Sequence, residues 1–145
     1  MTNDRRPTRL PAWQEWSVYI GLGLLVATGA VWLLLDRFVR IPGEFGAEHH
    51  EAEHWALVAH GVVAYVFLVV AGSLIPVHIK PGWSLGRNRS SGSALGGTLL
   101  LLSLSALGLY YTADDDARTW ISIAHWSLGL FAPIAILFNV LRAQR

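Results

Sequence analysis

The sequence contains no cysteine. That excludes disulfides, thiolate metal sites and covalently attached c-type haem. Charge is scarce as well: 14% of the 145 residues are Asp, Glu, Lys or Arg, against about 25% in a typical soluble domain. So few charged side chains cannot cover a water-facing surface, and much of the surface is expected to face lipid. The net charge of +1 gives no reason to expect a nucleic-acid partner.

What is abundant points the same way. The chain is 53% hydrophobic, with a mean hydropathy of +0.42. Seven tryptophans suit anchoring at bilayer interfaces, where an apolar ring carries one polar handle. With cysteine absent, the six histidines are the main candidates for ligand chemistry.

Four apolar stretches stand out, at about 16–38, 55–77, 93–111 and 120–141. Each approaches the ~20 residues that a helix needs to cross ~30 Å of hydrocarbon. No water at that depth can satisfy the backbone, so these stretches are expected to be helices. Lys and Arg set the direction. Eight lie on one side: Arg5, Arg6, Arg9, Lys80, Arg87, Arg89, Arg142 and Arg145. Three lie on the other: Arg37, Arg40 and Arg118. The richer side is expected to be cytoplasmic. The fold expected is therefore all-α, a single four-helix transmembrane bundle over 1–145, up-down-up-down with both ends inside. Span one is expected to be retained rather than cleaved as a signal peptide, because its apolar stretch is too long.

The second and fourth spans open alike, as Trp55-Ala-Leu-Val-Ala-His60 and Trp120-Ile-Ser-Ile-Ala-His125. Both read W-x-x-[VI]-A-H, which suggests a duplicated helical hairpin. In an alternating bundle these two helices run parallel. Each histidine lies five residues past its tryptophan, or ~7.5 Å of rise, so the imidazoles are expected at one depth in the outer leaflet. Two level histidines on facing helices can supply both axial ligands of a haem b. Gly61, Gly129, Ala106 and Gly108 are the small residues expected beside the macrocycle, and Arg37, Arg40 and Arg118 the nearest cations for its propionates.

A second haem needs a second pair. Four turns beyond His60 and His125 stand Leu74 and Asn139, neither of them a ligand of that kind. His78 falls five whole helical turns after His60 at the cytoplasmic edge. It reads as an interfacial residue beside Lys80 and Trp83, with a second haem or a quinone pocket as the alternatives. In the outer loop, Glu48-His49-His50-Glu51-Ala52-Glu53-His54 sets His50 and His54 at i and i+4, a spacing that can hold Zn²⁺ or Cu²⁺. The loop is read first as a solvated helix start.

Several segments resemble the bacterial cytochrome b superfamily, and more narrowly its small four-span members. They are Val39-Arg40-Ile41-Pro42-Gly43-Glu44-Phe45-Gly46, Ala59-His60-Gly61, Pro76-Val77-His78-Ile79-Lys80-Pro81-Gly82-Trp83, Gly108-Leu109-Tyr110-Tyr111 and His125-Trp126. The superfamily includes the haem b subunits of membrane formate dehydrogenases and nickel–iron hydrogenases. The resemblance implies an electron-transfer subunit of a respiratory complex, working with other redox subunits and with quinone. Its larger members often carry two haems and a histidine on span one. This chain has no histidine there, so one haem b is the expectation and a second is left open.

The outer side holds eight acidic residues, Asp36, Glu44, Glu48, Glu51, Glu53, Asp114, Asp115 and Asp116. Such a surface can steer a basic periplasmic partner, for instance a c-type cytochrome, or receive a dehydrogenase. No nucleophile or acid–base pair is visible, so catalysis is expected in an associated subunit. The competing reading is a non-redox assembly or metal-handling protein that uses His49, His50 and His54.

Overall fold

The computed structural model describes residues 10–43, 46–86 and 89–143, with side chains through residue 134. Its described residues are predominantly helical. The first helix, α1 (Ala12–Phe38), starts behind Pro11, whose carbonyl accepts from the N–H groups of Gln14 and Glu15 at 2.9 and 3.1 Å. It stops where Val39 turns extended. There the chain forms a two-stranded antiparallel hairpin, β1 (Arg40–Gly43) and β2 (Gly46–His49), an addition to the all-helical expectation. The register pairs Arg40 with His49 at the open end and Gly43 with Gly46 at the turn. Glycine is required at that turn. Gly46 has φ +130°, and a Cβ on Gly43 would run into the Glu48 carboxylate.

The next helix, α2 (Glu51–Leu74), is capped by His50, whose Nδ1 accepts from the Ala52 N–H at 3.0 Å. Glu51 and Glu53 lie in its first turn, where the helix dipole favours negative charge. The helix widens into a π turn at Ile75–Ile79 and continues as α3 (Lys80–Ser84). Pro76 accounts for the change. It has no N–H to give to a carbonyl four residues back, and its ring crowds that carbonyl. The ladder adapts: Ile75 N–H bonds Gly72, and Lys80 N–H reaches back to Ile75. This wider turn breaks the 3.6-residue register. The count of five whole turns from His60 to His78 therefore no longer places the two on one face.

Beyond Gly86, which has φ +70°, comes α4 (Arg89–Tyr111). Its first residue is held to the preceding turn, with Arg89 donating to the Trp83 carbonyl at 2.8 and 3.0 Å. Three residues separate α4 from α5 (Asp115–Ala143). The Asp114 carboxylate caps α5, accepting from the Ala117 N–H at 2.7 Å, with Asp115 and Asp116 in the first turn. The acidic residues expected on the outer loops thus serve largely as helix starts. Each helix begins four or five residues before its apolar stretch, and in α2 and α5 a polar cap opens that extra turn.

The chain divides into two compact units, Met1–Gly82 and Trp83–Arg145. Each contains one antiparallel helix pair. In the first, the start of α1 meets the end of α2 through the almost fully buried Gln14, which donates to Ser73 at 3.3 Å. Phe67 is the buried apolar side chain among the described residues of this pair and lies against Gly21, where a Cβ would come within 2.7 Å of its ring. In the second, Ile121 packs against Gly108 and Leu102 against Gly129.

Among the described residues, three helical segments are long and apolar enough to cross a membrane: Ala12–Phe38, Glu51–Ser84 and Arg89–Tyr111. Their large apolar side chains point outward along much of their length, among them Val62, Val66, Val69, Leu100 and Leu104, as a lipid-facing surface requires. The side chains of Arg5, Arg6, Arg9, Glu44, Arg87, Asn139, Arg142 and Arg145, which enter the orientation and haem-number readings, lie outside the described residues.

Candidate functional site

His60 and His125 occupy equivalent places in the two units. His60 sits on α2, half-buried against α1. Its Nδ1 lies 3.0 Å from the Thr28 hydroxyl oxygen. That hydroxyl has one hydrogen, and it is given back to the α1 backbone, with the Leu24 carbonyl at 2.7 Å and Leu25 at 3.3 Å. Thr28 Oγ1 therefore meets the imidazole as an acceptor, which favours the ring tautomer protonated at Nδ1. Room for the imidazole is made by Gly29: a Cβ there would stand 3.1 Å from His60 Cε1 and 3.3 Å from Nδ1.

His125 repeats the arrangement on α5. Its Nδ1 lies 2.8 Å from Ser105 Oγ on α4, and Ser105 donates to the Leu102 carbonyl at 3.0 Å. The residue after the hydroxyl is again small, Ala106 where the first unit has Gly29. Each W-x-x-[VI]-A-H segment is therefore matched by a hydroxyl and a small residue on the helix before it. Neither Thr28 nor Ser105 is singled out by the sequence reading. The available signal was a hydroxyl in an apolar span at the depth of each histidine. It was clear for Thr28 and diluted for Ser105, because Thr98 and Ser103 share its helix.

The small residues expected beside a macrocycle divide. A Cβ on Gly61 would meet nothing within 4 Å, whereas one on Gly108 would touch Ile121 at 3.4 Å and one on Gly129 would touch Leu102 at 3.9 Å. Gly108 and Gly129 thus serve the α4–α5 contact. Next to His125, the Trp126 indole N–H is buried with no hydrogen-bond partner among the described residues.

The remaining candidates are placed separately. His78 is exposed in the π turn. His50 uses its Nδ1 to cap α2, and His54 stacks edge-on with Trp55, centroids 5.6 Å apart. Arg37 pairs with Asp36 at 3.3 Å, and Arg40 holds the Val39 carbonyl and His49, each at 3.2 Å. Two of the three cations considered for propionates therefore have local partners. Comparison with known protein families, curated proteins and solved structures finds no match to this chain.

Proposed function

We propose that this chain is a four-span b-type cytochrome of the bacterial inner membrane, with His60 and His125 as the axial ligands of one haem b. The observation that carries the reading is the repeated contact of histidine Nδ1 with a helix-anchored hydroxyl, once in each helix pair. A bis-imidazole site needs two neutral rings, each presenting a basic nitrogen. A hydroxyl that accepts from Nδ1–H does both things: it orients the ring and makes Nε2 the nitrogen with the metal-directed lone pair.

Haem, when bound, supplies a one-electron couple. The residues of the chain do the rest. Thr28 and Ser105 hold the rings in orientation, and Gly29 lets His60 lie close to α1. Trp126 offers a buried donor of the kind that a propionate carboxylate would satisfy. The eight-to-three bias of Lys and Arg supports a topology with both ends inside, in which the two histidines would lie in the outer half of the membrane. Electrons would pass to or from partner redox subunits, a periplasmic c-type cytochrome or dehydrogenase being the fitting donor class and quinone the fitting membrane acceptor.

The test is a dithionite-reduced absorption spectrum of the full chain purified in detergent. A sharp α band is expected, with one haem per chain by the pyridine haemochrome assay. A colourless protein, expressed with ample haem and helical by circular dichroism, would overturn the reading in favour of a non-redox membrane protein.

A further inference from the structure

The connection between α1 and α2 gathers a second set of ligand atoms, apart from His60. Asp36 comes from the last turns of α1, His49 from the end of β2 and Glu53 from the first turn of α2. One ligand atom from each lies within 4.8 Å of the other two. The hairpin register explains the meeting. His49 pairs with Arg40 at the open end of the hairpin, where α1 leaves and α2 enters, so its side chain falls between the two helix ends. His49 and Glu53 are already in contact.

We propose that Asp36, His49 and Glu53 form a site for a divalent transition-metal ion at the outer end of α1 and α2. The donor set is one imidazole nitrogen and two carboxylates. Magnesium and calcium prefer oxygen alone, whereas an imidazole in the set selects zinc, manganese, iron or cobalt. Ligand atoms around tetrahedral zinc stand roughly 3.3 Å apart for metal–ligand bonds of ~2.0 Å, so side-chain rotation alone can close the triad. Three protein ligands leave positions for water. The exposures suit this: the carboxylate side chains are 22% and 16% exposed, and His49 at 57% stays open to solvent. The site is distinct from the i, i+4 pair expected from the sequence, because His50 is taken up in capping α2.

Two cations attend the triad. Arg37 pairs with Asp36, and Arg40 stands 3.2 Å from His49 Nδ1. Both oppose a metal ion by charge, and Arg40 also occupies the imidazole Nδ1. Arg40→Gln should therefore tighten metal binding, an outcome that a plain ion-pair cluster would not produce.

The experiment is isothermal titration of the chelator-stripped full chain in detergent with Zn²⁺, paired with the visible spectrum of the Co²⁺ form. One saturable Zn²⁺ site per chain is expected, weakened at least about 10-fold in His49→Ala and in the isosteric Glu53→Gln and Asp36→Asn. His50→Ala/His54→Ala should bind as the parent does. Glu53→Gln decides the matter if His49→Ala loses helicity. Absence of saturable binding, or binding that survives Glu53→Gln but is lost in His50→Ala/His54→Ala, overturns the proposal. Neither result bears on the haem, which the α band reads separately.

Discussion

The helices α1 and α2 are joined by a β-hairpin with a histidine cap at its end, whereas α4 and α5 are joined by three residues and an aspartate cap. Packing differs as well. In the first pair, Gly21 and Gly29 admit Phe67 and His60 to within 2.7 and 3.1 Å of where a Cβ would be. In the second, the corresponding approaches at Gly108 and Gly129 are 3.4 and 3.9 Å, ordinary van der Waals contact. What the two pairs share is the histidine, its position after a tryptophan and a hydroxyl on its Nδ1. A feature that persists while connection, cap and packing all change does not follow from any one of them.

The strongest way to break that equivalence is to remove each ring in turn. His60→Ala and His125→Ala should each abolish the reduced α band, while His50→Ala leaves it intact. A variant that keeps the full band without one of these histidines would show that the two pairs are not functional equivalents. Removing the hydroxyls comes next. Thr28→Val and Ser105→Ala keep the ligands but lose the acceptor, and each should weaken haem affinity by about 10–100-fold, read by titrating haem into the stripped protein. Thr28→Ser should restore it. Unequal losses would mean that one ring is held mainly by packing, and Gly29 makes His60 the candidate.

The packing difference has its own measurement. Gly21→Ala drives a Cβ into the Phe67 ring and should destabilise the protein by about 1–3 kcal/mol, the usual cost of overpacking. Gly129→Ala meets only an ordinary contact and should be neutral, or slightly stabilising through helix propensity. Thermal melts followed by circular dichroism would separate the two. The smallest effect is expected at the caps. Asp114→Ala should cost about 0.5–2 kcal/mol, and His50→Ala should fall at the lower end of that range.

Much of the local structure could be read from the order of residues. The apolar stretches coincide with α1, α2, α4 and α5 because transfer of side chains from water to hydrocarbon depends on composition over a window of about 20 residues. Pro76 announces a break in α2, though not that the break is a π turn. The hairpin between α1 and α2 was less legible. Pro42, Gly43 and Gly46 are turn residues, but whether the flanking segments pair depends on their register, and neither has an apolar alternation to set it. The meeting of Asp36, His49 and Glu53 depends on that register, whereas the i, i+4 spacing of His50 and His54 is plain in the sequence.

Composition and order by themselves determined that the chain carries helices long and apolar enough to cross a membrane, and that His60 and His125 each close a W-x-x-[VI]-A-H segment. Tertiary structure alone decided which atoms those imidazoles meet. Thr28 stands 32 residues from His60 and Ser105 stands 20 from His125, and no periodicity within one helix encodes either pairing. The reason is physical. Hydropathy and capping are properties of a segment and its surroundings, whereas a hydrogen bond between helices depends on rotation and register. Those are set where Phe67 meets Gly21 and Ile121 meets Gly108.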